Sequence, residues 1–283
     1  MKSIFIILIS LLLLATTSWI VVYLFKHKKR HIDDTIYCIM ITGKSSCRYE
    51  LAKRSIANFM EQTHKYKHLI IINHGEKQLS SSPEFMFNRD SISEYMVEKA
   101  DNTLGDMRNM AIDRVPINST WTTWDDDDYR SARYLEYLYN TMNSKKVSSI
   151  KFINRIEVNV KTNYVWKTTL RSGLMTIMSR KKTADTELYT RKDTMEDQAL
   201  HSNLLHNGHT FYILDNDPYI YLRMVHNNNT SLYVDNNKTE IRRNIKGTNL
   251  REEEIDEMQQ NQVLKFFSNY YKEGIRCIQA SEI

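Results

Sequence analysis

Glycine, proline and cysteine are all scarce in this chain of 283 residues, which contains seven glycines, three prolines and three cysteines. Fibrous and low-complexity disordered chains are usually rich in glycine and proline, so the composition argues against both classes. Three cysteines are too few for a disulfide framework, and none stands in a Cys-x-x-Cys or Cys/His cluster of the kind that binds zinc. Their sparse use fits a reducing compartment or buried thiols.

A dense basic face is missing as well. The formal net charge is only +5, and the basic excess is spread along the chain. We therefore do not expect nucleic acid as a partner. Hydrophobic residues make up 41% of the chain and aromatic residues 11%, which is enough for the packed core of one domain of ordinary to large size.

The long hydrophobic run of the chain lies at its start. Residues 4–25 (IFIILISLLLLATTSWIVVYLF) are almost all apolar, and a helix that rises about 1.5 Å per residue would cross a hydrocarbon core of roughly 30 Å. A cleaved signal peptide usually has a shorter apolar region with small residues behind it, whereas this run leads directly into KHKKR. We predict an uncleaved single-pass transmembrane helix within residues 1–25 and a basic linker over residues 26–34.

The orientation of this predicted anchor rests on two signals that disagree. Basic residues after the anchor place the following domain in the cytosol by the positive-inside rule, and the sparse use of cysteine agrees with that. Four Asn-x-Ser/Thr sequons would be modified only in a secretory lumen. They begin at Asn118, Asn228, Asn229 and Asn237. We expect a cytosolic domain, and a lumenal placement stays open.

Beyond the linker, apolar runs of strand length alternate with amphipathic stretches. Residues 35–42 and 68–73 are predicted strands and residues 48–63 a helix, which is the βαβ signature of a parallel sheet. We predict further helices over residues 104–114, 132–142, 195–208 and 251–273, strands over 119–124, 147–154, 210–214 and 219–225, and an antiparallel meander over 156–160, 163–170 and 174–178. The fold class is therefore α/β.

Four consecutive aspartates, residues 125–128 of the stretch WDDDDY, follow one of the predicted strands. Such a run is most often a solvated loop, but ligands of α/β sheets bind beyond the carboxyl ends of the strands. In an extended chain Asp125 and Asp127 share one face, and Asp126 and Asp128 share the other. A pair of carboxylates on one face suits Mg²⁺ or Mn²⁺, so we expect Asp126 to be dispensable.

Six stretches occur in an order that is typical of one enzyme family. They are IMITGK, RYELAKRSIANFMEQTHKYKHLIIIN, LGDMRNMAID, WDDDDY, MEDQAL and YLRMVHNNNTS. With them, residues 35–231 resemble the glycosyltransferases of family 2, which have the GT-A fold; some large DNA viruses encode short enzymes of this kind. The resemblance implies a Rossmann-like mixed sheet flanked by helices. We expect a catalytic domain over residues 35–235 and a C-terminal helical extension over residues 236–283.

The resemblance also implies a reaction, namely metal-dependent, inverting transfer of a sugar from a nucleotide-diphosphate sugar to an acceptor hydroxyl. Asp125 and Asp127, assisted by Asp128, would hold Mn²⁺ or Mg²⁺ on the diphosphate. Asp197, with Glu196 beside it, matches the catalytic base. The matching stretches place these residues at the donor: Thr42, Lys44, Asn73, Arg108, Asn109, Asp125, His226 and Asn229.

The second strand departs from the family pattern. In the family this strand usually ends in acidic residues that bind the uracil or the ribose, whereas in this chain it ends in Asn73 and His74. An amide can still hydrogen-bond a base edge, so a UDP-sugar remains the first donor to expect. A glycan, a protein or a lipid could each be the acceptor.

Simpler interpretations of the same residues stay open. Glu196 and Asp197 could be first-turn acids that favour the helix dipole, and His226 could pack or cap as readily as bind phosphate. Two other functions also remain: a nucleotidyltransferase of similar fold, for which TGKSSCR is only a thin phosphate loop, and a membrane-tethered binding module without catalysis.

Overall fold

The computed structural model describes Leu14 and residues 16–19, 34–43, 46–86, 89–98, 102–159, 164–169, 176–193, 195–215, 220–226 and 251–254. The helices are α1 (Ser46–Met60), α2 (Pro83–Met86), α3 (Leu104–Asp113), α4 (Tyr134–Ser144) and α5 (Leu200–His206). The strands are β1 (Ile36–Thr42), β2 (Lys67–Asn73), β3 (Ile92–Met96), β4 (Thr120–Thr123), β5 (Tyr129–Arg130), β6 (Ser149–Phe152), β7 (Asn154–Asn159), β8 (Val165–Thr169), β9 (Met178–Arg180), β10 (Phe211–Leu214), β11 (Tyr221–Val225) and β12 (Arg251–Glu254).

A parallel βαβ unit opens the domain, as the sequence predicts. β1 pairs with β2 in parallel, with Ile36 opposite Lys67 and Thr42 opposite Asn73, and α1 connects the two strands. The central sheet has seven strands in the order β10-β6-β9-β4-β1-β2-β3. β9 is antiparallel to both its neighbours, and all other pairs are parallel. The carboxyl ends of β1, β2 and β4 therefore meet at one edge.

Helices cover both faces of this sheet. Cys38 and Met40 of β1 lie in a hydrophobic cluster with residues of α1 and α4. Ile39, which points the other way, lies in a second cluster with residues of α3 and α5. The central strands have continuous apolar runs because a sheet buried on both faces needs apolar side chains on both.

A second sheet brings the end of β11 to the aspartate run. Its order is β12-β8-β7-β11-β5. β5 follows the aspartates directly and pairs with β11 in antiparallel fashion, so that Tyr221 lies opposite Arg130. This pairing fixes where the chain leaves β11, at His226.

Three elements differ from the prediction. Residues 195–199 form turns, and α5 begins only at Leu200. The third piece of the expected meander contributes to β9 of the central sheet, although β7 and β8 do pair in antiparallel fashion. Residues 251–254 form β12 on β8 instead of starting a helix, because strand pairing overrides a helix propensity. β3 and the short α2 escaped prediction.

The predicted anchor lies mostly outside the described residues. Leu14 and residues 16–19 are helical. In the part of the chain that the structure describes, no helix has both the length and the apolar character needed to cross a membrane.

Candidate active site

The aspartate run lies at the carboxyl end of β4, and the chain turns there at Asp126 and Asp127. The alternation of faces expected for an extended chain therefore does not apply, and each aspartate has its own partners. The turn is held by Trp124, whose indole N–H donates to Ser55 Oγ at 2.9 Å. The Ser55 hydroxyl in turn donates to the backbone carbonyl of Asp125 at 3.1 Å.

Arg48, in the first turn of α1, binds two of the aspartates through one nitrogen. Its Nη1 lies 2.5 Å from Asp126 Oδ1 and 2.8 Å from Asp127 Oδ2. The hydroxyl of Thr42 donates to Asp126 at 2.8 Å. Burial raises the pKa of Asp126 to about 6, although the charge of Arg48 opposes the rise. Asp126 is therefore tied to β1 and α1, and the expectation that it is dispensable loses its basis.

Asp127 receives a second basic group from the end of β11. Nε2 of His226 lies 3.3 Å from Asp127 Oδ2, and His226 is buried. Burial works to raise the pKa of Asp127, but the charge of Arg48 and the hydrogen bond from His226 outweigh it and hold the pKa well below its usual range. Asp127 is therefore a carboxylate at neutral pH.

Asp128 faces the second sheet. The hydroxyl of Tyr221 donates to Asp128 Oδ2, and the backbone N–H of Met224 donates to Oδ1 at 3.3 Å. Burial, together with the charges of Asp127 and Asp125, raises the pKa of Asp128 to about 7. Both carboxylate oxygens are thus engaged in fixing β11 to the aspartate turn.

Arg108 of α3 joins two carboxylates from distant parts of the chain. Its Nη2 donates to Asp125 Oδ1 at 3.0 Å, and its Nε lies 3.1 Å from Glu196 Oε1. Only 8% of the Arg108 side chain is exposed, so the two ion pairs are shielded from solvent. Burial raises the pKa of Glu196 even though the charge of Arg108 opposes it. Because α5 starts after this segment, Glu196 is not a first-turn helix acid.

The neighbours of Arg108 and Glu196 differ in their availability. Asn109 is bound to the backbone of Tyr189: its amide donates to the carbonyl at 2.9 Å, and its own carbonyl accepts from the N–H at 2.9 Å. Asn109 therefore positions the loop that leads to Glu196. Asp197 is half-buried, and its carboxylate has no hydrogen bond or ion pair among the described residues. Its charge acts on Arg108, which binds the neighbouring Glu196.

Asn73, at the end of β2, is occupied within the protein. Its amide N–H groups donate to the carbonyl of Lys77 at 2.9 Å and to Glu94 Oε1 at 2.7 Å, and its carbonyl accepts from the N–H of Gly75 at 2.7 Å. The side chain thus holds the turn after β2. Both of its N–H donors are used within the protein, so neither is spare for the edge of a nucleotide base.

Solved structures share this fold. S. aureus TarS 1–349 in complex with UDP-GlcNAc matches with a TM-score of 0.53 and 15% identity, over 71% of this chain and 62% of that one. The mixed α/β fold with its seven-stranded sheet resembles that of GT-A glycosyltransferases. The crystal structure of S. aureus TarS matches with a TM-score of 0.50 and 13% identity, over 68% of this chain and 37% of that one.

These two matches confirm the GT-A-like fold that the sequence predicts. A mannosyltransferase from Pyrobaculum calidifontis in complex with GDP-Man and Mn²⁺ matches with a TM-score of 0.48 and 11% identity, over 68% of this chain and 57% of that one. This chain thus spans less than two thirds of the length of each of these three structures. No family model matches the chain, and neither does any curated protein.

The GT-A resemblance implies a bound divalent cation, and the described residues match such a site only in part. The described residues contain no group of three or more His, Cys, Asp or Glu side chains arranged to hold a metal, so Asp125, Asp127 and Asp128 do not converge. However, Asp125 Oδ2 is buried and has no hydrogen-bond partner in the described part of the protein. A buried carboxylate oxygen without a partner is costly, and a cation would satisfy it. Asp125 therefore offers an oxygen that fits the ion.

Sequence reasoning assigned no role to two residues that the fold brings to this site. Arg48 and Tyr221 each begin one of the six stretches, but neither stretch reveals which distant side chain its first residue meets. Of the residues expected at the donor, Lys44 and Asn229 lie outside the described residues. The other expected residues lie at the end of β1, at the end of β2, on α3, in the aspartate turn, in the loop before α5 and at the end of β11.

Proposed function

We propose that this chain is a glycosyltransferase of the family 2 type, which moves a sugar from a nucleotide-diphosphate sugar to an acceptor hydroxyl with inversion at the anomeric carbon. The observation that carries the proposal is the buried group in which Arg108 joins Asp125 and Glu196, with the carboxylate of Asp197 close enough for its charge to act on Arg108. This group lies at the edge of the sheet where α/β proteins bind their ligands. The resemblance to short viral enzymes stays a prediction from the sequence.

A nucleotide-diphosphate sugar is the donor class that the TarS comparison and the nearby arginines support best. The TarS structure that shares the fold was solved with UDP-GlcNAc, so UDP-sugars are the first donors to test. Arg108 and Arg48 supply fixed positive charge next to the aspartate turn. Arginine suits the recognition of phosphate because its planar fork presents several donors.

In the proposed reaction Asp197 takes the proton from the acceptor hydroxyl. The acceptor oxygen forms a bond to the anomeric carbon as the bond from that carbon to the diphosphate breaks, and the nucleoside diphosphate leaves with the electron pair. A single displacement of this kind inverts the anomeric centre. Arg108 binds both Asp125 and Glu196. Because Asp197 directly follows Glu196, this contact keeps Asp197 in a fixed position relative to the donor.

Asp125 and Asp127 are the residues that would hold Mn²⁺ or Mg²⁺, whose chemistry when bound is to neutralise the departing diphosphate. Asp127 is suited to this role because it stays ionised at neutral pH. Asp128 would contribute through position alone, since both its oxygens bind β11.

Donor turnover tests the proposal. The full-length chain is incubated with Mn²⁺ and UDP-GlcNAc, UDP-glucose, UDP-galactose or GDP-mannose, each labelled in the sugar, and released nucleoside diphosphate is measured. We expect turnover of at least one donor, and a loss of about 100-fold or more in Asp127→Ala, because transition-state charge is no longer stabilised. Asp113→Ala, an exposed change on α3, is the control and should match wild type.

The other outcomes separate the alternatives. If no donor is hydrolysed or transferred and Asp127→Ala behaves like wild type, the proposal is wrong. Metal-dependent nucleotide binding without turnover would favour a binding module, and release of pyrophosphate from a nucleoside triphosphate would favour a nucleotidyltransferase.

We also propose that the enzyme works at a membrane, held by residues 4–25, with its catalytic domain in the cytosol.

A further inference from the structure

One nitrogen of Arg48 stands between two carboxylates of the aspartate turn. Nη1 lies 2.5 Å from Asp126 Oδ1 and 2.8 Å from Asp127 Oδ2. The side chains of these aspartates are only 4% and 10% exposed, whereas that of Arg48 is 19% exposed. A guanidinium nitrogen that bridges oxygens of two adjacent carboxylates occupies the kind of position that a bound cation takes.

Arg48 is a counter-ion of both Asp126 and Asp127. Asp126 also accepts a hydrogen bond from Thr42. Asp127 is also bound by His226, and the charge of Arg223 acts on it. Buried carboxylates without a counter-ion are strongly unfavourable. A divalent cation that binds Asp127 therefore has to approach a guanidinium that already holds that carboxylate, and like charges at this distance repel.

We propose that Arg48 is an internal counter-ion that competes with the divalent cation for Asp127, so that the cation binds weakly until the guanidinium gives up this carboxylate. Arg48 follows the loop after β1 by only a few residues, and Thr42 at the end of β1 binds the same Asp126. The diphosphate of the donor is the anion that would take over the guanidinium. This last part rests on the proposed function, whereas the competition itself concerns only the metal.

Mn²⁺ binding to the full-length chain tests the competition without any donor or turnover. Free Mn²⁺ is counted by electron paramagnetic resonance during titration of wild type and of Arg48→Gln, Arg48→Lys and Lys53→Gln. We expect Arg48→Gln to bind Mn²⁺ at least tenfold more tightly than wild type, because the competitor is gone. Arg48→Lys, which keeps the charge, should stay closer to wild type than Arg48→Gln does.

Lys53→Gln is the matched control. Lys53 lies on the same helix as Arg48 and pairs with Glu50. This variant therefore removes one positive charge from a position that is distant from the aspartates. It should bind Mn²⁺ as wild type does. A tenfold gain in Lys53→Gln would attribute the effect to net charge and overturn the proposal, and so would unchanged or weaker Mn²⁺ binding by folded Arg48→Gln.

A second measurement covers the case in which Arg48→Gln is unstable without metal. If the cation can replace the guanidinium as counter-ion, Mn²⁺ must raise the melting temperature of Arg48→Gln more than that of wild type. An equal or smaller rise overturns the proposal. Tighter Mn²⁺ binding with no turnover of any donor would count against the proposed function alone, and turnover with unchanged Mn²⁺ affinity against the competition alone.

Discussion

At the scale of single residues, the four aspartates differ in what holds them. Asp125 and Asp127 are bound by basic side chains, Asp126 by Arg48 and a threonine hydroxyl, and Asp128 by a tyrosine hydroxyl and a backbone N–H. A run of identical residues thus carries different roles. The differences arise because the turn points each carboxylate at a different element.

Asp128 gives a prediction about stability at this scale. Asp128→Ala removes the acceptor of the Tyr221 hydroxyl and of the Met224 N–H, both of which are buried. We expect the free energy of unfolding to fall by about 1–3 kcal/mol, as measured by chemical denaturation. Tyr221→Phe removes only the hydroxyl and should cost less.

The double variant completes this test. If the hydrogen bond between the two side chains carries much of the effect, Asp128→Ala combined with Tyr221→Phe should cost less than the sum of the single changes. Additive costs would show that the two residues act independently.

At the scale of elements, the start of α3 packs closely against the loop that precedes Glu196 and Asp197. A Cβ added to Gly105 would lie 1.7 Å from the carbonyl oxygen of Thr190, and the N–H of Gly105 donates to the carbonyl of Lys192 at 3.0 Å. The helix itself begins at a capping box formed by Thr103 and Asp106. Only glycine allows this close approach of helix and loop.

Gly105→Ala should therefore separate α3 from that loop. We expect a loss of about 1–3 kcal/mol in the free energy of unfolding, together with a fall in donor turnover because Glu196 moves away from Arg108. Denaturation and the turnover assay measure the two effects. Asp113→Ala, exposed on the same helix, should leave both unchanged, and a wild-type result for Gly105→Ala would contradict the packing.

A buried network joins the start of β10 to β6 and β9. His209 Nε2 lies 3.0 Å from Asp185 Oδ1, and Nδ1 lies 3.1 Å from Ser149 Oγ and 3.2 Å from Ser179 Oγ. Burial works to raise the pKa of Asp185, but hydrogen bonds from His209, the Lys182 N–H and Asn207 outweigh it and lower the pKa. The ionised carboxylate is therefore the form that stabilises the fold.

The pH dependence follows from the sign of this shift. Because the folded-state pKa is below the unfolded value of about 3.9, the contribution of Asp185 is complete above that value and is lost as the pH falls through the folded-state pKa. The difference in unfolding free energy between wild type and Asp185→Asn should be about 1–3 kcal/mol near pH 7 and shrink below about pH 4. A difference that stays constant down to pH 3 would contradict this linkage.

At the scale of the whole molecule, the predicted anchor would hold the chain at a membrane. We expect the full-length chain to stay in the membrane pellet after extraction with alkaline carbonate, because some 20 apolar residues make insertion strongly favourable. A chain that lacks residues 1–25 should move to the supernatant. Release of the full-length chain by carbonate would contradict an integral anchor.

The sequence by itself determined the βαβ start of the domain and the class of the fold. Strand-length apolar runs such as residues 35–42, and the helical spacing of residues 48–63, are local patterns, and local patterns survive without knowledge of the rest of the chain. The position of the aspartates at a strand end was predicted for the same reason. Arg108, Glu196 and His226 were expected at the site for another reason, because the stretches that contain them resemble family 2 glycosyltransferases.

Only the tertiary structure decided which groups meet. Arg48 reaches Asp127 across 79 residues, and Tyr221 reaches Asp128 across 93. The place of β9 between β4 and β6 likewise depends on strand pairing. Such contacts depend on how distant segments pack, and a carboxylate carries no local mark of the cation that will neutralise it. The alternation expected for residues 125–128 was wrong because it assumed an extended chain, whereas packing of β5 against β11 bends the chain at that point.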